Sequence, residues 1–513
     1  MNTFNKIILT AVFASILQVS CDDNDNSPII EEEVVDTTIN FTHKKTITVR
    51  TGPEGQDESE GASEISAYDP TTKQLFVVNV EINEISIFDI SDINNPIRKN
   101  PIIISEGAPN SISVFDGKVA IALEAEIKQN DGKIAVYQTS DASLLNTYTV
   151  GALPDMVTFS KDGKLIICAN EGEPSKDYTV DPNGTISIIE LSNDNVTTLD
   201  FSAFNAQEAS LEADGFRVFG PNADLAADVE PEYIAVSEDS KTAWVSLQEN
   251  NGIAKVNLET KTIEAIFPLG FKDYSLAENS IDASDKDGLK ALKTWNVKGI
   301  FQPDAITAVN IGGVEYVISA NEGDARDYDG YSEEVRVDDL TLDETVYPIS
   351  GDFQNEINLG RLKTTTTLGD ANNDGKVEQI YSYGTRSFSI WSANGQLVYD
   401  SGNSIARETL HFTPEIFNGK DKRSDDKGAE PEAVEVLSLG NRHILFVGLE
   451  RNNQVLVYDI SNPLAPAFLD VLSHSGDVGP EGLLAIPAAD SPTGKDLLVV
   501  SNEVSGTVSF YEN

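Results

Sequence analysis

The chain has 513 residues, 40% of them hydrophobic, and its 84 acidic residues against 36 basic ones give a formal net charge of −48. This length and hydrophobic content allow a substantial buried core, as two or three ordinary domains or as one unit built from repeats. The negative charge repels phosphate backbones, so it argues against nucleic acid as a partner, and it attracts cations. An acidic, solvated surface on an exported protein also accounts for such a charge.

The first 21 residues have the pattern of a targeting segment. Their apolar run (7–17) is too short to span a bilayer as a stable helix, and the small residues before Cys21 resemble a bacterial lipobox, although Gln18 stands where Leu is usual. We predict a lipoprotein signal peptide over 1–21 and a lipid on Cys21 as the only contact with the membrane. The protein is then an exported lipoprotein of the outer membrane or cell surface, and the acidic stretch 22–41 is predicted to be a disordered tether.

Cysteine and histidine contribute little to the sequence prediction. Only Cys168 remains after Cys21, so no intrachain disulfide is expected, and its apolar neighbours predict a small buried hydrophobic residue. A histidine-rich zinc site is not expected, because no ligand spacing relates the four histidines, His43, His411, His443 and His474.

A short element recurs seven times along the chain: a Pro or small residue, then an acidic or amide residue, then alternating apolar residues. The polar positions are Glu64, Asn110, Asp155, Glu232, Asp304, Glu432 and Glu481. Each copy is followed by a short turn, a second apolar run and a third one. Runs with a period of two, separated by turn residues, predict strands rather than helices.

Successive polar positions lie 46, 45, 77, 72, 128 and 49 residues apart, so a unit near 46 residues carries three enlarged copies. Seven units of three or four antiparallel strands predict an all-β fold, a seven-bladed β-propeller over 42–513, which removes exposed sheet edges by radial repetition. The last unit ends after its third strand, and a lone strand at 45–50 precedes the first unit. We therefore expect the N-terminal strand to close the ring. A solenoid or a pair of β-sandwiches is the alternative.

In most units the second strand closes on an acidic residue. Within a propeller blade, the innermost strand starts on the face to which the second strand returns, so both polar motifs should meet there. We predict an acidic ring that binds divalent cations, with calcium as the cofactor. Its ligands would be Glu64, Asp155, Glu171, Glu232, Asp304, Glu322, Asp324, Glu432, Glu450, Glu481 and Glu503. The alternative is that these residues only cap turns.

Long loop insertions fall on the connections at this same face, where functional loops on a rigid scaffold are often found. One of them places Asp370, Asn372, Asp374 and Glu378 at positions 1, 3, 5 and 9 of a calcium loop. Position 12 is Tyr381 rather than Glu, so the loop is not a complete EF-hand. We expect it to hold calcium structurally, and an Asx-rich turn without metal is the alternative.

Basic side chains accompany these acids. Two insertions of similar design open with an acidic pair, at 171–173 and 322–324, and contain the sequences KDY and RDY. A basic residue placed there could bind an anion beside a metal, or could pair with its acidic neighbours. The candidate anion ligands are Arg326, Arg386 and Arg451.

Five motifs together resemble the choice-of-anchor I family: NEGDARDY (321–328), GTRSFSIW (384–391), DDKGAEPE (425–432), GLER (448–451) and GPEGL (479–483). The resemblance runs from about Gly61 to Asn513. It implies an exported, surface-attached bacterial β-propeller related to the mesenchyme-specific cell-surface glycoproteins of echinoderms, which are associated with calcium carbonate mineral. Some members are described as alkaline phosphatases. Asn372 and Lys376 depart from the Asp-x-Asp-x-Asp-Gly pattern often seen in the family, which should weaken calcium binding at that loop.

Two functions are consistent with these observations. The first is a monomeric binding module that holds calcium and, through it, a surface glycan, a protein or a phosphorylated ligand. The alternative is a calcium-dependent phosphoesterase of alkaline-phosphatase or phytase type, a metal-dependent phosphoric ester hydrolase. In it the three arginines would bind phosphate, and the metals would be held by Glu232, Asp304, Glu432, Glu481 and Glu503. The sequence has no Ser/His/Asp set and no activated Cys, so metal-activated water would be the nucleophile. Adhesion or scaffolding without metal is a third reading.

Overall fold

The computed structural model describes residues 39–50 and 61–513. The predicted signal peptide, the lipidation site Cys21 and most of the predicted tether lie outside these residues. Strands dominate the described part of the chain, so the predicted all-β class is confirmed.

Seven antiparallel sheets each begin with one of the seven repeated elements. Their first three strands run in chain order and pair as consecutive neighbours. They are Ser66–Asp69, Gln74–Asn79 and Glu84–Asp89 in sheet 1; Ala108–Phe115, Lys118–Glu124 and Asp131–Gln138 in sheet 2; Pro154–Phe159, Leu165–Asn170 and Thr185–Glu190 in sheet 3; Ile234–Val236, Thr242–Leu247 and Gly252–Asn257 in sheet 4; Ile306–Ile311, Val314–Asn321 and Ser387–Ser392 in sheet 5; Pro431–Leu439, Arg442–Leu449 and Gln454–Asp459 in sheet 6; and Pro480–Ile486, Leu497–Asn502 and Thr507–Glu512 in sheet 7.

An outer strand completes each sheet. In sheets 1 to 6 it follows the third strand in sequence: Ile97–Arg98 with Ile102–Ile103, Leu144–Ala152, Asn195–Leu199, Thr262–Pro268, Leu397–Asp400 and Ala467–Leu472. In sheet 7 it comes from the other end of the chain, because Thr42–Thr48 pairs antiparallel with Thr507–Glu512 and places Thr46 opposite Ser509. The lone N-terminal strand expected from the sequence therefore has its partner in the last sheet.

The hydrophobic core lies between successive sheets. Seven apolar clusters each draw on two sheets, joining sheet 1 to 2, 2 to 3, and so on to 6 with 7, and also sheet 7 to sheet 1. In the last of these, Leu75 of sheet 1 and Val499 and Phe510 of sheet 7 are fully buried together. Because both faces of a sheet pack against neighbours, its strands read as nearly continuous apolar runs, and each fully buried aliphatic side chain contributes about 1.5–3 kcal/mol.

The longest insertions fold into a structure of their own, which the sequence analysis had described only as loops. Residues from two insertions form a five-stranded sheet in the order Phe271–Asp273, Val297–Ile300, Ile380–Ser382, Lys363–Thr365 and Glu334–Arg336. An eighth apolar cluster, which includes the fully buried Tyr274, Val337 and Leu359, lies beneath it. A small hairpin of Asp327–Tyr328 and Tyr331–Ser332 stands beside it.

Helices are short and belong to the connections. The α-helices are Glu208–Ala213, Leu225–Asp228, Ser350–Phe353, Ser404–Phe412 and Phe417–Lys420, and the 3-10 turns are Val80–Ile82, Ser202–Gln207, Ala277–Asn279, Val337–Asp339 and Glu450–Asn452. Over the described ranges, every helix is too short or too polar to cross a bilayer.

Candidate acidic site

Strand register brings the two polar motifs to one edge of each sheet. The proline that opens the first strand lies opposite the last residue of the second, as in the pairs Pro154 with Asn170 and Pro480 with Asn502. The acid after that proline therefore lies near the acid that follows the second strand. A cavity of about 240 Å³ forms where these edges meet, and seven predicted ligands line it: Asp155, Glu171, Glu232, Asp304, Glu322, Glu432 and Glu481.

Three of these carboxylates form the tightest group, which we call the central triad: Asp304, Glu322 and Glu432. One oxygen of each lies within 4.8 Å of the others. At this separation, two unit charges repel by about 3.5 kcal/mol if the effective dielectric constant is about 20. Three charges on the triad therefore require a bound cation nearby; without one, the repulsion favours protonation of one or more of the carboxylates.

Burial and mutual repulsion raise the pKa of these acids. Desolvation and then the neighbouring Glu322 raise the pKa of Asp304 and of Glu432 well above their ordinary values. The pKa of Glu232 and of Glu481 is raised well above its ordinary value by burial and then by repulsion, chiefly from Glu249 and from Glu64 respectively. Burial and repulsion therefore favour the neutral forms of these acids, and a bound cation would favour the charged forms.

Several carboxylate oxygens in the cavity have no internal partner. Oε2 of Glu232, of Glu432 and of Glu481 is buried and accepts no hydrogen bond from any residue in the described part of the chain. A buried polar atom left in this way costs about 1–3 kcal/mol, more when it is charged. The oxygens are therefore poised to accept a ligand that enters the cavity.

One internal cation approaches the triad, and the sequence analysis missed it. Lys427 Nζ lies 2.5 Å from Oε1 of Glu322 and 3.6 Å from Oδ1 of Asp324. Lys427 belongs to the motif DDKGAEPE, so its position between acidic residues of that motif was the available signal. Its single charge offsets part of the charge on Glu322, whose other oxygen accepts from Gln248 Nε2 at 3.2 Å.

The other predicted ligands of the acidic site lie outside the lining of this cavity. Burial, then repulsion from Glu503, raises the pKa of Glu64 to about 8, and burial is also the main reason that the pKa of Glu450 rises to about 8. Glu503 is 9% exposed. Asp324 is different, because its side chain is 54% exposed. Glu249 was absent from the predicted ligands although it closely follows the second strand of sheet 4, and burial raises its pKa to about 7.

The three candidate anion ligands are engaged by protein acceptors. Arg326 is 2% exposed and binds the carboxylates of Asp228 at 2.6 Å and Glu230 at 3.2 Å, with its guanidinium over the ring of Phe219. Such a buried pair fixes the insertions around the cavity.

The other two arginines have comparable partners. Arg386 donates to three backbone carbonyls, those of Asp282, Ser424 and Asp426. Arg451 binds Glu430 at 3.1 Å and Glu450 at 2.5 Å. These contacts agree with the alternative in which the basic residues pair with neighbouring groups of the protein rather than bind an anion.

The predicted calcium loop gathers some of its expected ligands. Asp374 and Glu378 have carboxylate oxygens within 4.8 Å of each other and of Asp343, a residue that the sequence analysis did not include because it lies outside the motif. Asp370 instead accepts the N–H groups of Asp374 and Gly375. Asn372 donates to Glu378 Oε1 at 2.5 Å, so part of the loop closes on its own hydrogen bonds.

Two animal proteins are similar to this chain. Gigasin-3a of Magallana gigas is 32% identical over 188 residues, which are 31% of this chain and 66% of that protein. A mesenchyme-specific cell surface glycoprotein of Strongylocentrotus purpuratus is 27% identical over 370 residues, 62% of this chain and 46% of that protein. The chain thus spans less than two thirds of the length of either relative.

Two solved structures align with most of this chain at low sequence identity. Kuenenia stuttgartiensis hydrazine synthase aligns over 90% of this chain and 99% of its own, with 11% identity and a TM-score of 0.48. The β-propeller domain of Myceliophteria thermophila Cps50 (Swd1) aligns over 92% of this chain and 100% of its own, with 8% identity and a TM-score of 0.46.

A family model provides the assignment. The model of the choice-of-anchor I domain matches residues 64–463, which include the inner strands of sheets 1 to 6 and all three members of the central triad. This chain therefore belongs to the choice-of-anchor I domain family.

Proposed function

We propose that this protein is an exported, surface-associated seven-bladed β-propeller that binds calcium in its acidic cavity and presents the bound ion to a ligand. Three observations support the ring: seven similar sheets, the apolar cluster that joins sheet 7 to sheet 1, and an N-terminal strand that completes sheet 7. The family and the cell surface glycoprotein among its relatives support a location on the cell surface. A lipid on Cys21 remains our proposal for the anchor.

The observation that carries the calcium proposal is the central triad with its unpartnered oxygen. Calcium binds oxygen ligands at 2.3–2.6 Å, so two ligand atoms on opposite sides of one ion are about 4.6–5.2 Å apart. The spread of up to 4.8 Å among the oxygens of Asp304, Glu322 and Glu432 fits one such ion. Oε2 of Glu432 would gain the partner that it lacks within the described residues.

Chemistry favours calcium over softer metals at this position. The ligands available in the cavity are carboxylate and amide oxygens, including those of Glu232, Glu481 and Gln248, and hard cations prefer such donors. Binding would release protons from the raised-pKa acids and displace Lys427 from Glu322. Calcium takes six to eight ligands, so positions left free by the protein would accept a carboxylate, sulfate or phosphate of a surface partner.

A second, weaker calcium site is proposed at Asp343, Asp374 and Glu378. The three carboxylates approach one another in the same way as the triad, but they are more exposed and Glu378 is already hydrogen bonded to the N–H of Ala371 and to Asn372. Each exposed ligand keeps water until the ion binds, so we expect lower affinity than in the cavity.

Hydrolysis of phosphoesters finds less support. It needs cationic groups beside the metals that can hold phosphate oxygens, and Arg326, Arg386 and Arg451 already bind protein acceptors. Binding is therefore the function that this site supports better, and the experiment below also tests for hydrolysis.

Calcium titration of the purified chain tests the proposal. Isothermal calorimetry of wild type should show a tighter calcium-binding event that is lost or strongly weakened in Glu432→Gln, while the weaker site at Asp343, Asp374 and Glu378 remains. The tighter event should be retained in the matched control Glu259→Gln, whose carboxylate is exposed and far from the triad in sequence. The same samples, assayed with p-nitrophenyl phosphate and phytate, separate binding from hydrolysis. Identical calcium affinity in all three proteins would refute the triad as the site.

A further inference from the structure

Two histidines and an aspartate that are far apart in sequence come together beside the N-terminal strand. His43 lies on Thr42–Thr48, while His474 and Asp477 lie in the connection between Ala467–Leu472 and Pro480–Ile486. One potential ligand atom from each lies within 4.8 Å of the others. Sequence spacing gave no sign that His43 and His474 are neighbours, because it is the packing of the two chain ends that brings them together.

One distance within the group matches a small tetrahedral ion. His474 Nδ1 is 3.4 Å from Asp477 Oδ2, and ligand atoms are about 3.3–3.4 Å apart in a tetrahedral zinc site with bonds of about 2.0–2.1 Å. The Thr46 hydroxyl contacts all three side chains, at 3.4 Å from each of those two atoms and 2.8 Å from His43 Nε2.

Hydroxyl groups of the last strand hold the carboxylate in place. Asp477 is 8% exposed; Thr507 Oγ1 donates to its Oδ1 at 3.0 Å, and Ser509 donates to its Oδ2. Hydrogen bonds of this kind orient metal-binding carboxylates and commonly change metal affinity 10–100-fold. The donor set of two imidazoles and one carboxylate suits zinc and similar divalent transition metals, whereas calcium prefers oxygen alone.

We infer that His43, His474 and Asp477 form a binding site for a divalent transition metal such as zinc, which cross-links the N-terminal strand to the connection that enters sheet 7. This site is independent of calcium in the acidic cavity.

Metal binding requires one local rearrangement. The two imidazole rings are stacked, with centroids 3.8 Å apart and planes 10° apart. Each nitrogen lone pair lies in its ring plane, so the rings must tilt before both can point at one ion. His474 has the freedom to move, because its side chain is 38% exposed, whereas His43 also contacts the edge of Tyr511.

Zinc titration of the full chain, with excess calcium to occupy the cavity, tests this inference. Calorimetry should give one zinc ion per chain in wild type, in His411→Gln and in Glu432→Gln, and at least a tenfold loss of affinity in His474→Gln and in His43→Gln. His474 lies in an exposed connection, so its variant remains informative if the strand variant fails to fold. Cobalt(II) bound to wild type should absorb visible light as a tetrahedral complex.

Two results would overturn the inference. One is zinc affinity in His474→Gln equal to that of His411→Gln, and the other is no zinc binding by wild type at 100-fold molar excess. Loss of zinc binding in Glu432→Gln alone would place the metal in the cavity and would also refute the site.

Discussion

Replacing Glu432 by Gln should stabilise the chain in the absence of calcium and reduce the stability that it gains from calcium. Without calcium, burial and repulsion from Glu322 raise the pKa of Glu432 well above its ordinary value of 4.5. A carboxyl whose pKa is raised on folding contributes full stability below pH 4.5, and that stability is lost as the pH rises, by up to about 1.36 kcal/mol per pH unit. A glutamine avoids this loss, and its amide can donate to Asp304 and Glu322.

With calcium, the variant should gain less stability than wild type. A ligand at 100 times its dissociation constant stabilises the folded state by about 2.7 kcal/mol, and a 100-fold loss of affinity at the same concentration reduces this gain to about 0.4 kcal/mol. Urea denaturation at pH 7, with EDTA and with millimolar calcium, measures both effects, and Glu259→Gln serves as the control. A variant that is less stable than wild type in EDTA, or that keeps the full calcium response, would refute the reasoning.

Three further predictions follow from the same contacts. In EDTA, wild type should lose stability as pH rises from about 4.5 to about 8. The pKa of Glu64 and of Glu450 is near 8 in the folded state and ordinary in the unfolded state, so the stability that these two acids contribute is complete below pH 4.5 and is lost above it. A urea midpoint that rises over this pH range would contradict the prediction. Lys427→Gln should destabilise the chain in EDTA by about 1–3 kcal/mol and enlarge the calcium-induced rise in melting temperature. The reason is that calcium then replaces the only ammonium beside Glu322 among the described residues. An unchanged rise in melting temperature would show that Lys427 does not compete with calcium for Glu322. Arg326→Met should lower stability by about 3–5 kcal/mol in urea, leaving buried carboxylates at Asp228 and Glu230 without their cation, while calcium affinity measured by calorimetry stays within about threefold of wild type.

Most of the strand plan could be read from the sequence. Alternating apolar residues after each of the seven repeated elements predicted the first strands. The acidic residues that follow the second strands predicted where each second strand ends. Periodicity succeeds here because each sheet is buried on both faces and repeats the same short-range pattern. The insertions at 271–302 and 323–385 were predicted only as long loops. Their five-stranded sheet was not predicted, because it includes the parallel pairing of Val297 with Ile380 between distant segments, which local pattern does not encode.

The sequence by itself determined that acidic side chains stand at strand ends, because a period of two and a fixed turn dictate where each strand stops. Only the tertiary structure decided which of them share a cavity, that Lys427 enters it, and that Arg326 is already held by Asp228 and Glu230. It alone brought His43 beside His474. The physical reason is that charge, burial and metal-binding geometry depend on distances between segments remote in sequence, and those distances are fixed by how the sheets pack rather than by any local preference of the chain.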